Sequence, residues 1–254
     1  PSRMAEVLNR VIEKAFRGSA PAQINVPRDY WTQVIDIELP PIVRFERQGG
    51  GKEAIENAAK LLSKAKFPVI LSGAGVVLGG AIDECKKLAE KLDAPVCNGY
   101  QHNDSFPGSH PLAVGPLGYN GSKAAMELIS KADVVLALGT RLNPFSTLPG
   151  YGIDYWPKKA TIIQVDMNPD RIGLTKKVSV GICGDAKQVA QQILDKLSTD
   201  AGNTGREERK NLIHKTKSAW LQTLSGLDHE EDDPGTVWNK EARERDKDRM
   251  SPRQ

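Results

Sequence analysis

Short apolar runs alternate with stretches of helical periodicity through the middle of this chain. The runs typical of buried strands lie at 68–72, 95–98, 133–139, 160–166 and 178–185. The stretches where apolar residues recur at helical spacing, which predicts helices, lie at 52–66, 81–92, 122–130 and 186–197. Strands and helices in this alternation indicate parallel pairing with right-handed crossovers. The pattern therefore predicts an α/β fold, a doubly wound and Rossmann-like parallel sheet over 52–198.

The segments on either side of this alternation have a different character. Before it, an amphipathic helical pattern begins at Met4 and stops at Gly18, and a short strand is predicted to end at Pro27. Prolines, charged residues and glycines over 31–51 are typical of a linker. After the sheet domain, residues 199–245 combine helical periodicity with dense charge. This composition predicts a helical, charged connector.

Composition narrows the class of protein. The 254 residues carry 35 Lys and Arg against 32 Asp and Glu, a net charge of +3, which is too balanced for a nucleic-acid-binding surface. No apolar run reaches the roughly 18 residues of a membrane span, and no secretory signal is visible, so we expect a cytoplasmic protein. Cys85, Cys97 and Cys183 form no CxxC pair, which favours reduced thiols.

A glycine-rich turn follows the first predicted strand of the sheet. Gly73 and Gly75 begin a Gly-x-Gly pattern, but Leu78 stands where a dinucleotide fingerprint has its third glycine, and Gly79 comes one residue late. The next strand ends in Asn98 rather than in the acidic residue that would bind a ribose. NAD binding is therefore not expected. Two interpretations stay open: glycines required by a tight turn, or a nucleotide-like ligand held in another way.

Several predicted strand ends carry residues suited to ligand binding. In an open parallel sheet, ligands lie outside the carboxyl ends of the strands. The residues expected along this edge, as a cofactor-binding set of nucleotide type, are Gly73, Gly75, Gly139, Arg141, Asp166, Gly184 and Asp185. Glycines and aspartates at helix entries are also explained by turns and N-caps, so that alternative stays open as well.

The segment 98–126 is the richest in polar side chains and is predicted to be a long loop, which favours a functional role. It offers His102, Asn103 and Tyr119 as candidate ligands of a substrate. His102 and His110 are eight residues apart, which is not a metal-ligand spacing, and no metal site is predicted. A Ser-His-Asp hydrolase is unsupported because no GxSxG motif occurs.

Several stretches, in this order, resemble the thiamine-diphosphate enzymes. The quoted stretches are "PVILSGAGV", "LAEKLDAPV", "SFPGSHPL", "GPLGYNGS", "ADVVLALGTR", "IIQVDMNPDRIG" and "GDAKQV". They are similar to the central domain of the acetolactate synthase group, and the similarity covers essentially the whole chain. The resemblance implies a homo-oligomeric acyltransferase with three domains in each chain, whose first domain supplies a glutamate and whose last holds the diphosphate through Mg2+.

The same resemblance divides this chain into parts of such an enzyme. Residues 1–30 correspond to the end of an N-terminal pyrimidine-binding domain, and 246–254 to the start of a C-terminal diphosphate-binding domain. Neither the glutamate nor a Gly-Asp-Gly metal motif lies in this chain. The resemblance therefore implies no catalytic residue and no metal ligand here, and we expect the chain alone to be inactive.

Two departures from the acetolactate synthase pattern bear on ligands. Where that group binds FAD, partly through the stretch Arg-Phe-Asp-Asp-Arg, this chain reads "RLNPF" over 141–145, so we expect no FAD. The loop that begins at Asn98 is polar, and the family member that the chain resembles most acts on a sulfonated aldehyde and phosphate. We therefore expect His102, Asn103, Tyr119 or Arg141 to contact an anion. The alternatives are that they brace a domain contact, that the domain is a non-catalytic nucleotide-binding or structural unit, or that the parent is another thiamine-diphosphate enzyme such as acetolactate synthase.

Overall fold

Six parallel strands form one sheet at the centre of the structure, a computed structural model that describes residues 2–18, 20–41 and 46–227. The strands are β1 (Pro68–Ser72), β2 (Val96–Asn98), β3 (Ala113–Pro116), β4 (Val134–Leu138), β5 (Thr161–Asp166) and β6 (Val180–Cys183). Their order in the sheet is β3-β2-β1-β4-β5-β6, and every pairing is parallel. This is the strand order of a doubly wound dinucleotide-binding fold, so the predicted fold class is confirmed.

Helices cover the sheet and extend from it. They are α1 (Met4–Gly18), α2 (Lys52–Lys64), α3 (Ala74–Leu78), α4 (Ile82–Leu92), α5 (Lys123–Ile129), α6 (Ala186–Lys196) and α7 (Arg206–Leu227). Each residue of β1 and β4 is buried, as expected for central strands with helices on both faces. The strand order reverses between the neighbouring strands β1 and β4, which places a crevice at their carboxyl ends.

The predicted core elements are confirmed, with strand and helix ends shifted by at most two residues. The predicted strand ending at Pro27 is wrong: residues 20–27 form no strand, and a single 3-10 turn follows at Arg28–Tyr30. Two prolines within seven residues remove the amide donors that a sheet ladder needs. The predicted connector begins as the well-docked helix α7, whereas its remainder, 228–245, and the segment 246–254 lie outside the described residues.

The segment 98–126 is only partly a loop, so that prediction is corrected. It contains the strand β3, whose four residues Ala113–Pro116 pair with β2 across a register shift between Val96 and Cys97. This strand consists of small residues and a terminal proline, so it lacks the run of large apolar residues that predicts a buried strand. Gly115 has φ +92°, a conformation that favours glycine and bends the strand. The edge strand could therefore not be recognised by its pattern.

Arg209 fixes α7 to the sheet domain. Its guanidinium is buried, with 1% of the residue exposed, and its nitrogens donate to five backbone carbonyls. The accepting carbonyls belong to Lys66, Leu92, Asp93, Gly202 and Thr204. Burial lowers the pKa of Arg209, while the nearby carboxylate of Asp93 raises it. The result is a cation whose cost of burial is offset by hydrogen bonds from its planar fork.

Within the described residues, no helix combines the length and the apolarity needed to cross a membrane. The longest helix, α7, spans 22 residues and carries charges along its length. All three cysteines are free thiols. Burial raises the pKa of Cys85 to about 12 and also raises that of Cys97, so neither thiol is reactive near neutral pH.

Candidate functional site

A cleft of about 780 Å3 lies at the carboxyl ends of the central strands. Its floor is formed by the turns that follow β1, β2, β4, β5 and β6, and α1 lines one side. This is the position at which doubly wound sheets bind ligands, because strand order reverses there and the flanking loops diverge. The cleft is therefore the candidate functional site of the chain.

Six of the seven residues predicted for the nucleotide-type edge line this cleft. They are Gly73, Gly75, Gly139, Arg141, Asp166 and Gly184. Asp185 is not among the lining residues, because it lies buried at the N-terminus of α6. Its Oδ1 accepts from the amides of Lys187 at 3.1 Å and Gln188 at 3.2 Å, and its Oδ2 accepts from Arg47 Nη1 at 2.9 Å. Asp185 therefore acts as a helix cap and an ion-pair partner.

The Gly-x-Gly turn uses its amides inside the protein. The Gly73 amide donates to the carbonyl of Leu138 at 3.1 Å, and the Gly75 amide donates to that of Gly139 at 2.8 Å. A Cβ at Gly73 would lie 2.6 Å from Cβ of Thr140. The glycines thus let two turns approach closely, and these two amides are not free to bind a phosphate. The geometry favours a tight architectural corner over a phosphate cradle.

The turn after β4 is also built from its own side chains. Leu142 is fully buried, its amide donates to Thr140 Oγ1 at 3.2 Å, and its carbonyl accepts from Thr175 Oγ1 at 2.7 Å. Asn143 Oδ1 accepts from the amide of Phe145 at 2.9 Å and caps the following 3-10 turn. Leu142 and Asn143, which stand where the flavin motif has its Phe and its first Asp, are therefore engaged in holding this turn together.

The turn after β5 is organised by two polar residues. Asp166 Oδ1 accepts from the amide of Asn168 at 2.9 Å. Gln164, buried within β5, donates from Nε2 to the carbonyls of Thr140 and Arg171, both at 3.1 Å. Gln164 thereby joins the loops after β4 and β5. This role could not be predicted from the sequence, because the hydrogen-bond partners of a glutamine side chain in a strand depend on the positions of the neighbouring loops.

The substrate candidates are divided between the cleft and its surroundings. His102 lines the cleft, whereas Asn103 and Tyr119 are exposed and are not among the lining residues. Tyr119 packs edge-on against Tyr100, with ring centroids 6.2 Å apart, and Tyr100 does line the cleft. Phe145 lies 6.4 Å from Tyr100 on the same rim. An aromatic rim therefore adjoins the candidate anion contacts.

The charged residues that line the cleft are four arginines and three carboxylates: Arg17, Arg47, Arg141, Arg171, Glu13, Glu46 and Asp166. Arg47 is paired with Asp185, but among the described residues the side chains of Arg141 and Arg171 have no hydrogen-bond or ion-pair partner. Arg141 follows β4 and Arg171 follows β5, so both come from the carboxyl edge of the sheet. Guanidinium groups without a protein partner are suited to bind an anion. Sequence reasoning missed Arg47 and Arg171, whose position depends on loop geometry.

The pattern typical of the family described as "Thiamine pyrophosphate enzyme, central domain" matches residues 55–193. The chain is 78% identical over 254 residues to the protein named "Probable sulfoacetaldehyde acetyltransferase" from Rhizobium meliloti (strain 1021), a match that covers 100% of this chain and 43% of that protein. It is 76% identical over 253 residues to the "Sulfoacetaldehyde acetyltransferase" of Roseovarius nubinhibens, covering 100% of this chain and 42% of the relative.

A solved structure shares the fold. The benzoylformate decarboxylase from Polynucleobacter necessarius superposes with a TM-score of 0.64, over 81% of this chain and 38% of its own, at 21% sequence identity. At that identity the likeness concerns the fold alone. The chain spans less than half the length of these two curated relatives.

Proposed function

We propose that this chain, which belongs to the thiamine pyrophosphate enzymes and carries their central domain, is part of a sulfoacetaldehyde acetyltransferase. The observation that carries the proposal is the identity of 78% and 76% with two proteins of that name over the full length of the chain. The whole enzyme would convert sulfoacetaldehyde and phosphate into acetyl phosphate and sulfite, in the cytoplasmic breakdown of taurine and related alkanesulfonates.

We assign the cofactors, thiamine diphosphate and Mg2+, to other parts of the longer protein. When bound, thiamine diphosphate supplies the carbanion chemistry that such a cleavage requires. In the part of the chain that the structure describes, no group of three or more His, Cys, Asp or Glu side chains could hold a metal ion. The described residues therefore do not fit this cofactor pair. The full-length protein is proposed to be a homo-oligomer, as the resemblance implies.

The role proposed for this chain is to recognise the anionic groups of the substrates. Sulfoacetaldehyde carries a sulfonate and the acceptor is phosphate, so both need charged or forked donors. His102 and Arg141 reach the same cleft from the ends of β2 and β4, and Arg141 has no partner among the described residues. We propose these two as anion contacts. The assignments of Asn103 and Tyr119 stay predictions for the assembled enzyme.

The nucleotide-type edge is proposed to be architectural in this protein. Support comes from the Gly73 and Gly75 amides, which donate to backbone carbonyls, and from Leu142 and Asn143, which build their own turn. We accordingly propose that the enzyme binds no FAD. A purified full-length protein with a flavin absorbance band that survives gel filtration would contradict this.

The test of the proposed function uses the full-length protein. Supplied with thiamine diphosphate, Mg2+, sulfoacetaldehyde and phosphate, it is expected to release sulfite, and a chelator is expected to stop the release. The 254-residue chain under the same conditions is expected to release none, because the cofactor-binding parts lie outside it. Acetolactate formation from pyruvate without sulfite release from sulfoacetaldehyde would instead identify the parent as an acetolactate synthase.

A further inference from the structure

Three buried polar side chains lie together beneath the cleft, at the carboxyl ends of β1 and β2. Ser72, Asn98 and Ser105 are exposed by 0%, 5% and 0%. Asn98 Nδ2 donates to Ser105 Oγ at 2.9 Å, and Ser72 Oγ donates to the carbonyl of Ser105 at 3.2 Å. The three side chains therefore form one connected hydrogen-bond network.

This network converges on the backbone of His102. The carbonyl of His102 accepts from Ser105 Oγ at 2.8 Å, from the Ser105 amide at 3.1 Å and from Asn98 Nδ2 at 3.3 Å. The His102 amide donates to the carbonyl of Gly99 at 2.9 Å. The carbonyl of the cleft-lining His102 is thus held by Asn98 and Ser105, which do not themselves line the cleft, and its amide is held by Gly99, which does.

Packing alone does not account for these residue types. Burying a hydroxyl or an amide costs free energy that its hydrogen bonds only offset, so apolar side chains would close the ends of β1 and β2 at least as well. What a fully connected polar network adds is a single defined arrangement of the groups that it joins. Here the group held in place is the turn that carries His102.

We propose that Ser105, supported by Asn98 and Ser72, is a positioning residue that holds His102 in the cleft for the anionic substrate. The proposal rests on the proposed function for the role of His102, but the geometry of the network does not. Asn98 stands where the second strand of a dinucleotide-binding fold would end in an acidic residue. The proposal assigns it another role, which is to support the turn that carries His102.

The kinetic test uses the full-length holoenzyme with phosphate and sulfoacetaldehyde. Ser105→Ala removes the hydrogen bond to the His102 carbonyl and the one from Asn98 Nδ2. It is expected to raise the KM for at least one of these anions about fivefold, while kcat changes little. In a His102→Ala background the same substitution is expected to change neither KM, because the side chain that it positions is gone. Equal KM effects in both backgrounds would overturn the proposal.

Ser130→Ala is the matched control. Ser130 Oγ donates to the carbonyl of Glu127 at 2.7 Å, the same three-residue spacing as in Ser105 and His102, but Glu127, unlike His102, does not line the cleft. It is expected to leave both KM values unchanged. Ser72→Ala removes the donor to the Ser105 carbonyl while leaving the Ser105 side chain in place, and it keeps the test open if Ser105→Ala fails to fold. Ser72→Ala is expected to raise the KM by a smaller factor than Ser105→Ala does. An unchanged KM would count against the network.

Hydrogen exchange separates this proposal from the proposed function. In the full-length protein, Ser105→Ala is expected to speed amide exchange over 99–105, whereas Ser130→Ala is not. Unchanged exchange over 99–105 would overturn the positioning role even in an active enzyme. A wild-type protein that releases no sulfite would refute the proposed function, while faster exchange in the variant would still support the network's hold on His102.

Discussion

The amide of Gly75 donates to the carbonyl oxygen of Gly139 at 2.8 Å, and the two residues face each other with no side chain between them. A Cβ built on either one would lie 2.7 Å from Cα of the other. Gly139 also has φ +60°, which disfavours any other residue. This contact locks the turn after β1 against the turn after β4, at the point where the order of the sheet reverses.

Gly75→Ala is expected to destabilise the protein by about 2 kcal/mol, because the new methyl group meets backbone that cannot rotate away. Gly108→Ala is the matched control, since nothing lies within 4 Å of a Cβ there. We expect it to change the free energy of unfolding by less than about 0.5 kcal/mol. Urea denaturation of both variants makes the comparison, and equal midpoints for the two would refute the close-approach role of Gly75.

Arg209→Met is expected to cost about 3 kcal/mol of stability, because it leaves five backbone carbonyls, two of them in fully buried contacts, without their donor. Lys215→Met removes a cation from an exposed position of the same helix and is expected to have little effect. Thermal denaturation measures the difference. If α7 were merely a charged connector, as its sequence suggested, both substitutions would shift Tm equally.

The thiol of Cys85 is expected to make stability fall at alkaline pH. Burial raises its pKa from 9.0 to about 12, so the unfolded chain loses this proton first, and the folded state loses stability as the pH rises above 9. Over that window the wild type should lose up to about 1.4 kcal/mol per pH unit more than Cys85→Ala does. Urea denaturation at pH 8 and pH 10 tests this, and identical pH slopes would contradict the burial effect.

The central part of the fold could be predicted because its strands and helices have clear patterns in their own stretches of sequence. Apolar runs such as 68–72 and 133–139 are long enough to be read as buried strands, and the helices between them have clear periodicity. The edge strand Ala113–Pro116 could not be predicted, because its stability comes from pairing with β2 rather than from its own residues.

The candidate site was predictable only as an edge of the sheet. Topology alone brings Gly73, Arg141 and Asp166 together, so their shared cleft follows from the strand order. Which side chains remain free is a matter of loop geometry. The carboxylate of Asp185 caps a helix and pairs with an arginine, and the side chain of Asn98 is hydrogen-bonded to Ser105. Neither contact can be predicted from the spacing of residues in the sequence.

The most direct measurement is the phosphate dependence of acetyl phosphate formation by the full-length enzyme, followed by 31P NMR in the presence of sulfoacetaldehyde. The wild type should form acetyl phosphate saturably, with one sulfite released for each molecule. Arg141→Met should raise the KM for phosphate about tenfold, because a charge-assisted contact is lost. No acetyl phosphate from the wild type would contradict the proposed activity, and an unchanged KM in the variant would contradict anion recognition by Arg141.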